Sequence, residues 1–201
     1  MPVITRITAG KRNQARANIY VDGEFALALS IDEVVKRHLK KGVELTVTEL
    51  NDLVRVDKED KLYAKILNFL SFRPHSVREV RDRARHYLKD DSPEVVTALI
   101  SRLTRGGYLD DRAFATWFVA SRKEHRPRSR RQLASELAGK GIPREIVDEV
   151  LGTHADESAA IQAVIAKKRN LDDTHLMAYL ARRGFSYETI RTALAENTKA
   201  R

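Results

Sequence analysis

The 201-residue chain holds six histidines, at positions 38, 75, 86, 125, 154 and 175, and no cysteine. No His-Glu-x-x-His run or other paired spacing is present, and without thiolates no ligand set is completed, so no metal site is expected. There is no phosphate-binding Walker loop and no Gly-x-Ser-x-Gly elbow to raise a nucleophile. The adjacent carboxylates Asp110-Asp111 and Asp172-Asp173 stand where helices begin, a place that favours capping over acid–base work. These residues give no basis for an enzyme, and none for a cofactor.

The residues that do accumulate are cationic. Lysine and arginine number 37 against 28 acids, a formal charge of +9. The excess is +1 over residues 1–57, +4 over 58–109, +2 over 110–153 and +2 over 154–201, so it is spread along the chain. A distributed positive field suits a phosphate backbone or an acidic protein surface. Three patches stand out: Arg78, Arg81 and Arg85; Arg122, Lys123, Arg126, Arg128, Arg130 and Arg131; and Lys167, Lys168, Arg182 and Arg183. In the first, i, i+3, i+7 spacing sets like charges on one helix face, where they repel unless a partner neutralises them. A solvated face with local ion pairs is the competing reading. These thirteen residues are the candidate partner- or DNA-binding set.

The elements that must carry them are mostly helical. "NIYVDGEFALALS" reads as two strands around Asp22-Gly23, a dipeptide suited to a type I′ turn, with Ile4 and Ile7 in a further strand. Ser30 with Glu33 opens a helix over 31–41, and Thr46 with Glu49 opens another over 47–56. From residue 58 onward apolar periodicity predicts helices only, beginning with 59–72. Ser76, Ser129 and Asp172 occupy one cap position, followed four residues later by Val80, Leu133 and Leu176, and eight later by Ala84, Leu137 and Leu180. Gly141 and Gly184 likewise match as helix stops. The expected divisions are an N-terminal hairpin with helices at 1–57 and three-helix repeats at 58–109, 110–153 and 154–201. Such repeats stack into an elongated array with a long surface. Trp117, with Phe114 and Phe118, falls at core spacing in the second repeat; base stacking is the alternative use for it.

Several segments, "LSFRPHSVREV" at 70–80, "GGYLDDRAFATWFVASR" at 106–122, "RPRSRRQLASELAGKGI" at 126–142 and "YLARRGFSYETIRTAL" at 179–194, resemble the RecX family of bacterial recombination regulators. The likeness covers about residues 58–196; the turn "KDDSP" is longer than usual, and Gly106 stands where a larger apolar residue is common. The resemblance implies a mainly α fold of three three-helix repeats in a curved, elongated array, with a small N-terminal β-hairpin and helix extension. It also implies a non-enzymatic, negative modulator of the RecA recombinase in recombinational repair and the SOS response. Such a protein binds RecA and its filament on single-stranded DNA, and inhibits ATP hydrolysis and strand exchange. The family motifs are caps, stops and core positions, so the cationic set above rests on charge alone.

A stand-alone DNA-binding protein of helix-turn-helix type is the other reading, weakened by the few Asn, Gln or Ser residues beside the arginines. Weak, mostly non-specific binding to single- or double-stranded DNA is expected beside the recombinase contact. With no cysteine, no signal-peptide core and no apolar run of spanning length, the expectation is a monomeric cytoplasmic protein without membrane contact.

Overall fold

The computed structural model describes residues 1–10, 13–88, 93–125, 127–154, 157–168 and 170–199. The fold is mainly α with a small N-terminal sheet, as expected. It divides into two compact units, one of Met1–Phe69 with Ala84–Leu99 and one of Leu70–Arg83 with Ile100–Arg201.

In the first unit, β1 (Ile4–Ala9), β2 (Arg16–Val21) and β3 (Glu24–Ser30) form an antiparallel meander. Asp22 and Gly23 both take positive φ, 51° and 91°, so the turn is the one their residue types predict. Alternation sends Ile4, Ile19, Val21, Leu27 and Leu29 to the buried face, joined by Leu45 and Leu53. The edge of β1 is closed by the chain at 42–45: Gly42 donates to the Ile4 carbonyl, Ile4 to Val43 and Leu45 to Pro2.

Two helix limits differ from the sequence expectation. Helix α1 runs Ile31–Lys36 rather than to 41, because His38 turns left-handed (φ 52°). Its amide then donates to Val35 and that of Leu39 to Val34, a Schellman stop with histidine in place of glycine. That reversal delivers Leu39 to the sheet core. The helices expected at 47–56 and 59–72 are one helix, α2 (Val47–Leu70), so positions 57 and 58 are neighbours within it. Nothing between them breaks a helix, and Thr46 and Glu49 cap its start reciprocally, at 2.7 Å and 3.2 Å. Asp57, 5% exposed, holds the helix to the sheet through Arg16 at 2.6 Å, with Lys61 at 2.7 Å on its other oxygen.

Next come α3 (Val77–Leu88) and α4 (Pro93–Arg105), with Val80, Ala84, Val96, Leu99 and Leu103 buried as periodicity predicts. Most of the "KDDSP" turn, including Ser92 at its expected cap, lies outside the described residues. In the second unit α5 (Asp111–His125) and α6 (Arg130–Gly139) pack on α7 (Arg144–His154) around Phe114, Phe118, Leu137 and Leu151. Then α8 (Glu157–Lys167) and α9 (Asp173–Arg182) pack on α10 (Tyr187–Lys199) around Ile161, Leu180, Phe185 and Ile190. Trp117 is partly buried against the α5–α7 core, its ring 5.9 Å from that of Phe114.

The matched serines do more than cap their own helices. Ser76 Oγ accepts from the Glu79 amide (3.2 Å) and donates to the Lys140 carbonyl at the end of α6 (2.8 Å). Ser129 Oγ accepts from Gln132 (3.1 Å), while the Ser129 amide donates to Arg183 at the end of α9 (3.4 Å). A carboxylate reinforces each seat. Asp111, opening α5, accepts from the Val77 amide (2.8 Å), and Glu157, opening α8, accepts from Arg130 (2.7 Å). The first amide of α3 and that of α6 are therefore each satisfied by a carboxylate from the next repeat. Both serines are fully buried, which accounts for a small neutral cap at those sites. Asp172, capping α9 from an exposed position, binds His175 of its own helix.

Candidate regulatory surface

The structure sorts the cationic set into two groups. Arg122 Nε lies 2.7 Å from Glu136 and its guanidinium 4.5 Å from the Phe118 ring. Arg128 shares that carboxylate at 3.5 Å, close enough for charge pairing but without a hydrogen bond to any described group. Arg183 donates to the Pro127 carbonyl (3.0 Å) and to Tyr179 Oη (2.6 Å), clamping the turn before α6 onto α9. Lys168 sits over the Tyr179 ring at 5.5 Å, and Lys167 reaches the Glu124 carbonyl at 3.4 Å. These five cations serve packing within the second unit.

Seven of the others are exposed. Among the described residues, Arg78, Arg85, Lys123, Arg130, Arg131 and Arg182 have no side-chain hydrogen bond or salt bridge. Arg81 has only the field of Asp111, which its charge stabilises. Arg126 lies outside the described residues. Arg78 and Arg131 occupy the same position, second in α3 and second in α6, with Arg130 adjoining. Arg78, Arg81, Lys123, Arg130, Arg131 and Arg182 belong to the second unit, and Arg85 to the first. Because α3 and α6 begin here, each already presents the positive end of its dipole. Asp111 and Glu157 occupy the first amide at each start, so the arginines are surplus to that need.

Glu79 shows the opposite economy. It binds Arg73 (3.0 Å), His75 Nδ1 (3.1 Å) and, from the next repeat, Lys140 (2.7 Å). Burial pushes its carboxyl up, but the hydrogen bonds and charges of Arg73 and Lys140 outweigh this and bring it from 4.5 to about 2. The folded-state value is depressed, so the stabilisation is full above about pH 4.5 and is lost as pH falls toward 2. Urea titrations across that range should show Glu79→Gln flattening the acid loss seen in the natural chain. Parallel acid profiles for the two would show that the cluster contributes nothing. Asp111 shifts the other way: burial raises it, with the charge of Asp110 adding, against the Val77 amide and Arg81.

Among the described residues no group of three or more His, Asp or Glu is arranged to hold a metal ion. No helix among them is long and apolar enough to cross a membrane. What sequence reasoning missed are the residues that position the surface: Lys140, Asp111 and Glu157. Only the repeat register hinted at them, since Lys140 matches Arg183 and both end a helix.

The chain matches the family model for the regulatory protein RecX N-terminal domain over residues 2–46, the sheet and α1. It matches the RecX second three-helix domain over 110–151, the α5–α7 trio. The regulatory protein RecX of Bacillus subtilis is 33% identical over 204 residues, 96% of this chain and 76% of the relative. The chain belongs to the RecX family. The RecX of Bacillus licheniformis is 32% identical, with 98% and 78% covered. Among solved structures, a regulatory protein RecX shares the fold with a TM-score of 0.75 and 21% identity, covering 97% of this chain and all of the other. The RecX of Lactobacillus salivarius gives 0.58 over 70% of this chain and 96% of its own. RecX membership gives the chain a regulatory role.

Proposed function

We propose that this RecX-family chain is a negative modulator of the RecA recombinase that docks on the recombinase filament on single-stranded DNA. The observation that carries the reading is the set of exposed, unpaired arginines at matched places in successive repeats, Arg78 in α3 and Arg130 and Arg131 in α6. A filament offers acidic protein and phosphate at a regular repeat, and a chain that meets it at several points gains by multivalency. Contact across neighbouring recombinase subunits would oppose the motion between them that turnover needs, with no chemistry supplied by the modulator. Lys123 and Arg182, in the same unit, extend the proposed contact. Arg122, Arg128, Lys167, Lys168 and Arg183 support it from within the fold.

Single-strand-dependent ATP hydrolysis by RecA measures this. The natural chain should lower the rate at substoichiometric amounts. R130E/R131E should need on the order of tenfold more protein for the same effect, the scale of one to two lost charge contacts. No inhibition by the natural chain at any concentration would sink the reading. Tight, sequence-selective duplex binding without recombinase would instead favour a helix-turn-helix DNA reader.

A further inference from the structure

The outer face of the N-terminal sheet is built unlike an ordinary solvated surface. The strand register sets Arg6, Tyr20 and Phe25 in one cross-strand row, and Thr8, Asn18 and Ala28 in the next. The Arg6 guanidinium lies over the Tyr20 ring at 3.9 Å, and the Phe25 ring meets Tyr20 edge-on at 5.9 Å. Phe25 is nonetheless 54% exposed. Beside this row the sheet forms a groove of about 740 Å³, and among the described residues no acidic side chain lines it. Arg16 also lines the groove, but its charge is committed to Asp57. Arg6 has no acidic partner among the described residues, and the side chains of Thr8 and Asn18 make no hydrogen bond there.

We propose that this face binds single-stranded nucleic acid. Unpaired bases stack on the Tyr20–Phe25 pair and on the Arg6 plane, Arg6 neutralises a phosphate, and Asn18 and Thr8 offer hydrogen bonds to base edges or sugar. The chemistry selects single strands because a paired base has no free face to lay on an aromatic ring. A cross-strand ladder serving only the sheet would account for the Arg6–Tyr20 contact. It would not account for an acid-free groove flanked by an exposed phenylalanine and unspent polar groups. The site lies in the first unit, and the proposal does not rest on recombinase docking.

The test uses the full chain without recombinase and a fluorescein-labelled fifteen-residue oligothymidylate. F25A/R6Q, which alters exposed side chains only, should weaken binding about tenfold, the scale of one lost base stack. A fifteen-residue oligouridylate should bind within a few-fold of the DNA, while a duplex of equal length binds more weakly. In the natural chain, photocross-linking with iododeoxyuridine in the oligomer should label the peptides carrying Tyr20 or Phe25, and R130E/R131E should leave that label in place. Cross-links confined to residues 70–199, duplex binding as tight as single-strand binding, or unchanged affinity in F25A/R6Q would each overturn the assignment.

Discussion

Gly184→Ala should lower stability by about 3 kcal/mol, the sum of a left-handed backbone penalty and an overpacked contact. Gly184 has φ of 82°, and a β-carbon there would stand 2.6 Å from Ser129 Oγ. Neither party can give way. Ser129 is fully buried and fixed by its cap to Gln132, and the Gly184 amide closes α9 on Ala181. The same reasoning holds at Gly141, where Arg78 Cβ would lie 2.8 Å away and φ is 79°. Gly152 provides the opposite case. It lies within α7 with open space around it, so Gly152→Ala should stabilise by about 0.5–1 kcal/mol through helix propensity. Urea unfolding followed by helical circular dichroism measures all three. Equal effects at Gly152 and Gly184 would show that the seat between repeats carries no strain-sensitive contact.

Arg16→Ala should be comparably damaging in the first unit, at about 3 kcal/mol, because it strands a buried carboxylate. Asp57 is 5% exposed and would retain only Lys61, whose own side chain is 53% exposed. Arg16 also donates to the Ala28 carbonyl on β3, so its loss leaves that carbonyl of the sheet without this donor as well. R16M/D57L, which removes both charges and keeps volume, should recover most of that loss, since a paired buried charge is nearly offset by its desolvation. A double-mutant cycle reads the coupling directly. A double variant no more stable than Arg16→Ala would mean that packing, rather than the stranded charge, sets the cost.

Local patterns in the chain were legible and distant partners were not. The Asp22-Gly23 turn, the serine caps and the glycine stops follow from one residue's conformational preference and its neighbours within four positions. The second role of Ser76 depends on Lys140, 64 positions away, which no periodicity identifies. Asp111 reads as a cap for its own helix, yet it is Asp110 that caps α5, while Asp111 serves α3. Gly42 marks a helix limit at position 41 in the sequence, but the left-handed His38 that delivers Leu39 to the core ends α1 five residues earlier. Two helices are expected on either side of position 57, yet they are one, and Asp57 within it is a buried tie to Arg16, 41 positions earlier. Charge counting could not separate Arg183, which clamps a carbonyl and a phenol, from its exposed neighbour Arg182. That division is a property of packing, and it narrows the proposed contact to cations the fold itself does not use.

Affinity of the labelled chain for RecA filaments on single-stranded DNA tests that division most directly. R78Q/R130Q/R131Q should bind at least about tenfold more weakly, a loss of roughly 1.4 kcal/mol, while its unfolding midpoint stays that of the natural chain. Arg122→Gln, which breaks the pair with Glu136, should do the reverse, lowering the midpoint while the folded protein binds within about twofold of normal. Filament affinity unchanged in the triple variant, with recombinase inhibition intact, would contradict the assignment of the unpaired arginines as the docking surface.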